Sequence, residues 1–148
     1  MDNFNKALRF VLAREGGISN NKNDSGGLTN HGITQSTYNT YREANKKSIQ
    51  SVTGITYSEV SDIYLKNYYE ASGADKIVDF KLSLMVFDTA VNMGVSIAKL
   101  LLKNSHGDFD RFYNLRLADY KAIVRNNPKD AEFLNGWENR LELLKNYT

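Results

Sequence analysis

A glutamate that ends an amphipathic segment and is followed at once by two glycines is the feature of this chain best suited to do chemistry. The stretch reads Arg14-Glu15-Gly16-Gly17, then Asp24-Ser25-Gly26-Gly27-Leu28-Thr29-Asn30-His31-Gly32-Ile33-Thr34. At the C-terminal end of a helix the macrodipole concentrates partial negative charge, which disfavours an ionised Glu15. Burial in a cleft acts in the same direction and raises a carboxyl pKa. A carboxyl still protonated near neutral pH is what a glycosidase requires as general acid. Glycoside hydrolysis commonly places a second carboxyl across the scissile bond. Asp24 is the candidate for that place, to activate water or to stabilise the cationic transition state, and Thr29 is the candidate to hold the water. Gly16, Gly17 and Gly27 are candidate substrate contacts, because backbone without side chains lets a bulky sugar approach. His31, in the same loop, is another. Each residue alone has a plainer reading: Glu15 as an exposed helix end, Asp24 as a turn carboxylate bonding its own backbone, Thr29 as a turn hydroxyl. Their order after a strong helix is what points to chemistry.

The elements that must position these residues are helical. Phe4, Ala7, Leu8, Val11 and Leu12 recur at helical spacing and form one apolar stripe. Thr34 can cap a helix from about Gln35 to Lys46. Thr56 and Glu59 make a capping-box pattern ahead of a stripe of Val60, Ile63, Tyr64, Asn67 and Tyr68. Leu82, Met85, Val86, Thr89, Ala90 and Met93 form the next, continued by Ile97, Leu100 and Leu101 after Gly94. Phe109, Phe112, Tyr113, Leu117, Tyr120 and Val124 follow. The single proline, Pro128, breaks the chain before a last helix with Phe133, Leu134, Trp137, Leu141 and Leu144. No segment alternates convincingly with a period of two. Between Gly16 and Gly32, by contrast, lie five of the ten glycines among several Asn and Asp residues. Such a stretch cannot hold a helix; it is read as a functional loop with room for a short hairpin. The expectation is an all-α, or mainly α, single domain over residues 1–148.

Composition bounds the rest. The 148 residues are 41% hydrophobic and 24% charged, the balance of a soluble globular domain with a sizeable core. With no cysteine, neither disulfides nor Cys-ligated zinc can form. The two histidines are too few for a His-rich metal site, which leaves carboxylates for a hard ion such as calcium as the only metal option; none is assigned, and no cofactor is expected. A net charge of +2 with dispersed basic residues does not suggest a nucleic-acid partner. Asp2, Lys6, Arg9 and Arg14 leave no uncharged signal-peptide core. Asp88 interrupts the longest apolar stretch, so no membrane span is expected. A chain made in the cytoplasm would need separate delivery to a substrate outside the membrane.

The loop motif resembles that of glycoside hydrolase family 108, the N-acetylmuramidases of phages and bacteria, some labelled secretion activators. The resemblance extends to Phe87-Asp88-Thr89-Ala90-Val91-Asn92-Met93-Gly94, then to Arg116, Tyr120 and Gly136-Trp137-Glu138-Asn139-Arg140. The Glu–Asp–Thr order is also similar to that of phage T4-type lysozymes. The resemblance implies a lysozyme-like fold, bacterial peptidoglycan as the partner and Glu15 as the catalytic glutamate, in a phage endolysin or a bacterial lytic enzyme. It divides the domain into a lobe of residues 1–75, with the catalytic helix end and loop, and a helical lobe of residues 76–148. The family's second half is labelled peptidoglycan-binding; here Asn104–Gly107 leads straight into the next helix, and that half is read as the second lobe of one domain. A monomer is expected.

Among the remaining residues, Asp88 and Asn92 share one helix face. They are read first as partners of buried loop backbone, with Asn92 a candidate sugar contact. Tyr38, Tyr68 and Tyr69 are either sugar-stacking or core residues, and Tyr69 is carried as a substrate-binding candidate. Trp137 is assigned to the core and Arg140 to a structural ion pair. Two other functions fit the same residues: a lytic transglycosylase, which needs one acid/base glutamate and forms an anhydro-sugar, and a non-catalytic wall-binding protein.

Overall fold

The computed structural model describes residues 2–20 and 27–147. Among the described residues are seven α-helices and one small sheet. Helix α1, Asn3–Arg14, begins where the Asp2 side chain accepts a hydrogen bond from the Asn5 amide at 2.8 Å. It buries Ala7, Leu8, Phe10 and Val11 and stops at Glu15, whose backbone turns extended (φ −86°, ψ 145°). Strands β1 (Ser19–Asn20), β2 (Leu28–Asn30) and β3 (Ile33–Thr34) then form an antiparallel meander, pairing Ser19 with Thr29 and Asn30 with Ile33. The anticipated hairpin is therefore a three-stranded sheet. The buried Asn30 side chain donates to the Val52 carbonyl at 3.1 Å and ties the sheet to the short 3₁₀ turn Val52–Gly54.

Local signals set most helix starts. Thr34 caps α2 (Gln35–Ala44), and Thr56 with Glu59 forms the anticipated capping box on α3 (Tyr57–Tyr64). Glu59 is buried, and burial disfavours its charge. Hydrogen bonds from Tyr38, Thr56 and Arg42 outweigh that effect and hold the carboxyl below its usual range. Beyond Tyr64 the helix continues as a π-helical segment, Leu65–Glu70. The extra residue per turn moves the later side chains off the stripe that a strict 3.6 period implies.

Helix α4, Phe80–Met93, is the centre of the molecule. It is capped by Asp79, is buried without interruption from Leu82 to Ala90, and packs against α1, α5, α6 and α7. Gly94, at φ +107°, ends it and opens α5 (Val95–Asn104). Asp108 caps α6 (Phe109–Asn126), and Pro128 opens the 3₁₀ turn before α7 (Ala131–Asn146). Two apolar stripe positions face outward, contrary to expectation: Leu100 and Phe133 are about half exposed. Leu8, Phe10, Tyr64, Phe87, Phe112 and Leu141 are among the fully buried core side chains. Each such burial is worth about 1.5–3 kcal/mol before entropy. No described helix is long and apolar enough to cross a membrane.

Candidate active site

Glu15 stands where four elements meet. α1 supplies the residue, the turn before β3 supplies Gly32, α3 supplies Tyr64, and α7 supplies Arg140. Because α1 ends at Glu15, its side chain leaves the helix axis at the rim of the core, and it retains 23% exposure. An Arg140 Nη2 atom lies 3.5 Å from Oε1 of Glu15. On the other side the chain comes so close that a Cβ on Gly32 would stand 2.9 Å from Oε2. Only glycine tolerates both that approach and a φ of +76° without strain. The backbone before it is pinned, because the Tyr64 hydroxyl donates to the His31 carbonyl at 2.7 Å. Tyr68 packs beside Tyr64, with ring centroids 5.3 Å apart.

Burial pushes the Glu15 carboxyl above its ordinary range. The Arg140 charge opposes this, and the Asp88 charge adds to it. The same surroundings raise Tyr64, mainly by burial and then by the nearby Glu15 charge, so its phenol stays a proton donor to His31. A partly exposed carboxyl that holds its proton to higher pH than usual can give that proton to a leaving oxygen.

Behind Arg140 lies a buried polar cluster. Arg140 grips Asp88 with Nε at 3.0 Å from both oxygens and Nη2 at 2.7 Å from Oδ1. The fully buried Arg116 donates to Oδ2 of Asp88 at 2.8 Å. It also donates to the Tyr120 hydroxyl at 2.9 Å, and Tyr120 in turn donates to Asn92 Oδ1. Burial alone would raise Asp88, but the two guanidinium groups outweigh it and hold the carboxyl below the usual range. The expectation that Asp88 and Asn92 serve buried loop backbone is thus corrected: both bind side chains of α6, and Asp88 also binds α7.

The other sequence candidates are distributed as follows. Asp24 lies outside the described residues. Thr29 sits at the centre of the sheet, half-buried, with its hydroxyl donating to the Gly27 carbonyl at a long 3.4 Å. Gly27 adopts φ +60° and His31 φ +52°, both left-handed. Gly16 and Gly17 are exposed, with open space where a Cβ would stand. Tyr69 is not at the site. It is buried against Phe4 and Phe87, at centroid distances of 5.0 and 5.2 Å, and its hydroxyl accepts from Ser83. Its stacking role gives way to a core role, because its ring has no free face. Asn92 borders a separate cavity of about 530 Å³ with Ile97, Tyr120, Ile123 and Trp137. Trp137 is half-buried and stacked on Tyr120 at 4.8 Å. Among the described residues no three His, Cys, Asp or Glu side chains gather to hold a metal.

Sequence reasoning missed Gly32, Tyr64 and the reach of Arg140 to Glu15. Gly32 stood inside the motif, but only the register of β3 brings it onto the carboxylate. Tyr64 read as a core stripe residue, and Arg140 as structural.

The solved structure of SagA from Brucella abortus aligns with a TM-score of 0.73 at 26% identity, over 95% of this chain and 90% of that chain. No curated protein matches the chain. The sequence profile of glycosyl hydrolase 108 matches residues 8–94, a span that contains Glu15, Gly32, Tyr64 and Asp88. With more than half of its length matched, the chain belongs to glycosyl hydrolase family 108 and is a glycoside hydrolase.

Proposed function

We propose that the protein is an N-acetylmuramidase acting on bacterial peptidoglycan. It cleaves the β-1,4 bond between N-acetylmuramic acid and N-acetylglucosamine, with Glu15 as general acid. One observation carries this reading: a partly exposed glutamate at the end of α1, raised in pKa by burial, has its carboxyl packed against a glycine whose position no other residue could occupy without strain. Glu15 protonates the glycosidic oxygen as the bond breaks. Asp24 activates the water or stabilises the sugar cation from the opposite side, and Thr29 helps to hold that water. The glycines at 16, 17 and 27 and His31 form the floor under the glycan. Membership of a glycoside hydrolase family supports the reaction class, and the location of Glu15 at a helix end, ahead of the exposed Gly16 and Gly17, supports its role.

The test is digestion of purified cell walls with mass spectrometry of the products. Wild type should yield hydrated reducing ends. Glu15→Gln should be slower by roughly 10²–10⁴-fold, and Asp24→Asn and Thr29→Ala should also be strongly slowed. Anhydro-muramic ends would make the enzyme a lytic transglycosylase with Glu15 alone as its acid. An unimpaired Glu15→Gln would overturn the assignment.

A further inference from the structure

Asp88 has no route to the substrate, since it is completely buried, yet it holds the one cation that touches Glu15 among the described residues. The Nη2 group of Arg140 stands between two carboxylates, 2.7 Å from Asp88 and 3.5 Å from Glu15. Its Nε also points at Asp88. The directed, short contacts therefore belong to Asp88, and Glu15 receives only the longer one. Charge-assisted hydrogen bonds weaken steeply as they lengthen and lose alignment. Arg116 supports the arrangement by fixing the other face of Asp88.

We propose that Asp88 is a positioning residue for the reaction: by claiming the guanidinium of Arg140, it keeps that group from closing onto Glu15 and so leaves Glu15 free to carry a proton. The proposal rests on the reading of Glu15 as general acid. The sign follows from the charges that the described residues place around that carboxyl; Asp24, proposed to act across the substrate, lies outside them and is the same in every variant compared. Arg140 from α7 is the cation in contact, and Asp88 from α4 lies behind it. Tyr64 and Tyr68, from α3 and the π-helical segment, are neutral phenols. Arg14, next in sequence, is turned onto the Phe10 carbonyl and ring. His31 contributes its carbonyl to Tyr64 and is exposed. With Asp88 present, its charge offsets one of the two buried guanidinium groups. Without it, Arg140 has Glu15 as its nearest carboxylate among the described residues, and an unopposed cation stabilises the ionised form.

The variants are Asp88→Asn, Asp88→Asn/Arg116→Met and Arg140→Gln. Removing Asp88 alone strands the buried Arg116, so the double variant guards against loss of folding by removing both charges. The measurement that does not depend on turnover is a ¹³C NMR titration of the Glu15 carboxyl in the folded protein, without cell wall. Both Asp88 variants should titrate at lower pH than wild type, and Arg140→Gln at higher pH. On cell walls, the alkaline limb of the rate profile should move in the same two directions, with about a tenfold or greater loss near neutral pH when Asp88 is removed. A Glu15 titration that is unchanged in the double variant, or that moves the same way in Arg140→Gln, overturns the proposal. If instead Glu15→Gln keeps full activity, the reading of the reaction fails, while the NMR titration still judges what Asp88 does to Glu15.

Discussion

Gly32 lies directly against Glu15: a Cβ in its place would stand 2.9 Å from Oε2 and 3.2 Å from Cγ, and 2.6 Å from the Tyr64 hydroxyl. The first two distances put the loop in contact with the acid, and the third puts it in contact with the side chain that anchors the loop. Gly32→Ala should therefore displace Glu15 or Tyr64 and strain a backbone at φ +76°. We expect a stability loss of about 1–3 kcal/mol and a rate loss approaching about 10²-fold, the scale of a 1 Å misplacement. Gly54→Ala, outside the proposed site and with open space around it, should stay within about 0.5 kcal/mol of wild type. Thermal unfolding and wall-lysis rates measured on both proteins decide the matter, and equal behaviour would remove Gly32 from the site.

Replacing Glu15 should change stability with a particular dependence on pH. Its carboxyl is raised in the folded protein, chiefly by burial against the pull of Arg140. The folded state therefore favours the protonated form. That contribution is fully present below the unfolded value, about 4.3, and is lost as pH rises through the folded value. Glu15→Gln cannot ionise, so its Tm relative to wild type should become more favourable between pH 4 and pH 7. Calorimetry at the two pH values checks this; a flat or opposite difference would contradict the raised carboxyl.

Asp88 should act in the opposite sense. Its carboxyl lies below the usual range because Arg116 and Arg140 together outweigh its burial. Its contribution is present above the unfolded value, about 3.9, and disappears as pH falls through the folded value. Wild type should lose Tm progressively on acidification below about pH 4, and Asp88→Asn/Arg116→Met should lose less. Identical acid limbs for the two proteins would assign acid unfolding to other carboxylates.

Tyr64→Phe should loosen the turn before β3 without emptying the core. It removes the hydrogen bond to the His31 carbonyl, at a cost of about 1 kcal/mol, and keeps the buried ring. Amide exchange at Gly32 should quicken, and wall-lysis rate should fall several-fold while the far-UV spectrum is unchanged. Unaltered exchange at Gly32 would show that Tyr64 does not hold the turn.

The helices, their caps and the position of Glu15 at a helix end were legible in the amino-acid sequence because they depend on interactions within one turn. Thr34 meets the Thr37 amide three residues on, and Thr56 meets that of Glu59 at the same spacing. Apolar stripes work the same way, except where the π-helical segment changes the period after Tyr64. The glycine-rich loop was legible as irregular, since such composition cannot hold a helix. Its strand register was not, because each strand is only two or three residues long. Which charges surround Glu15 was decided by tertiary packing alone. Arg140 reaches Asp88 across 52 residues and Tyr64 reaches His31 across 33, separations over which no periodic pattern links one residue to its partner. Composition and spacing thus singled out Glu15 as a candidate acid, whereas the packing of α1, α4 and α7 decided which charges surround its carboxyl.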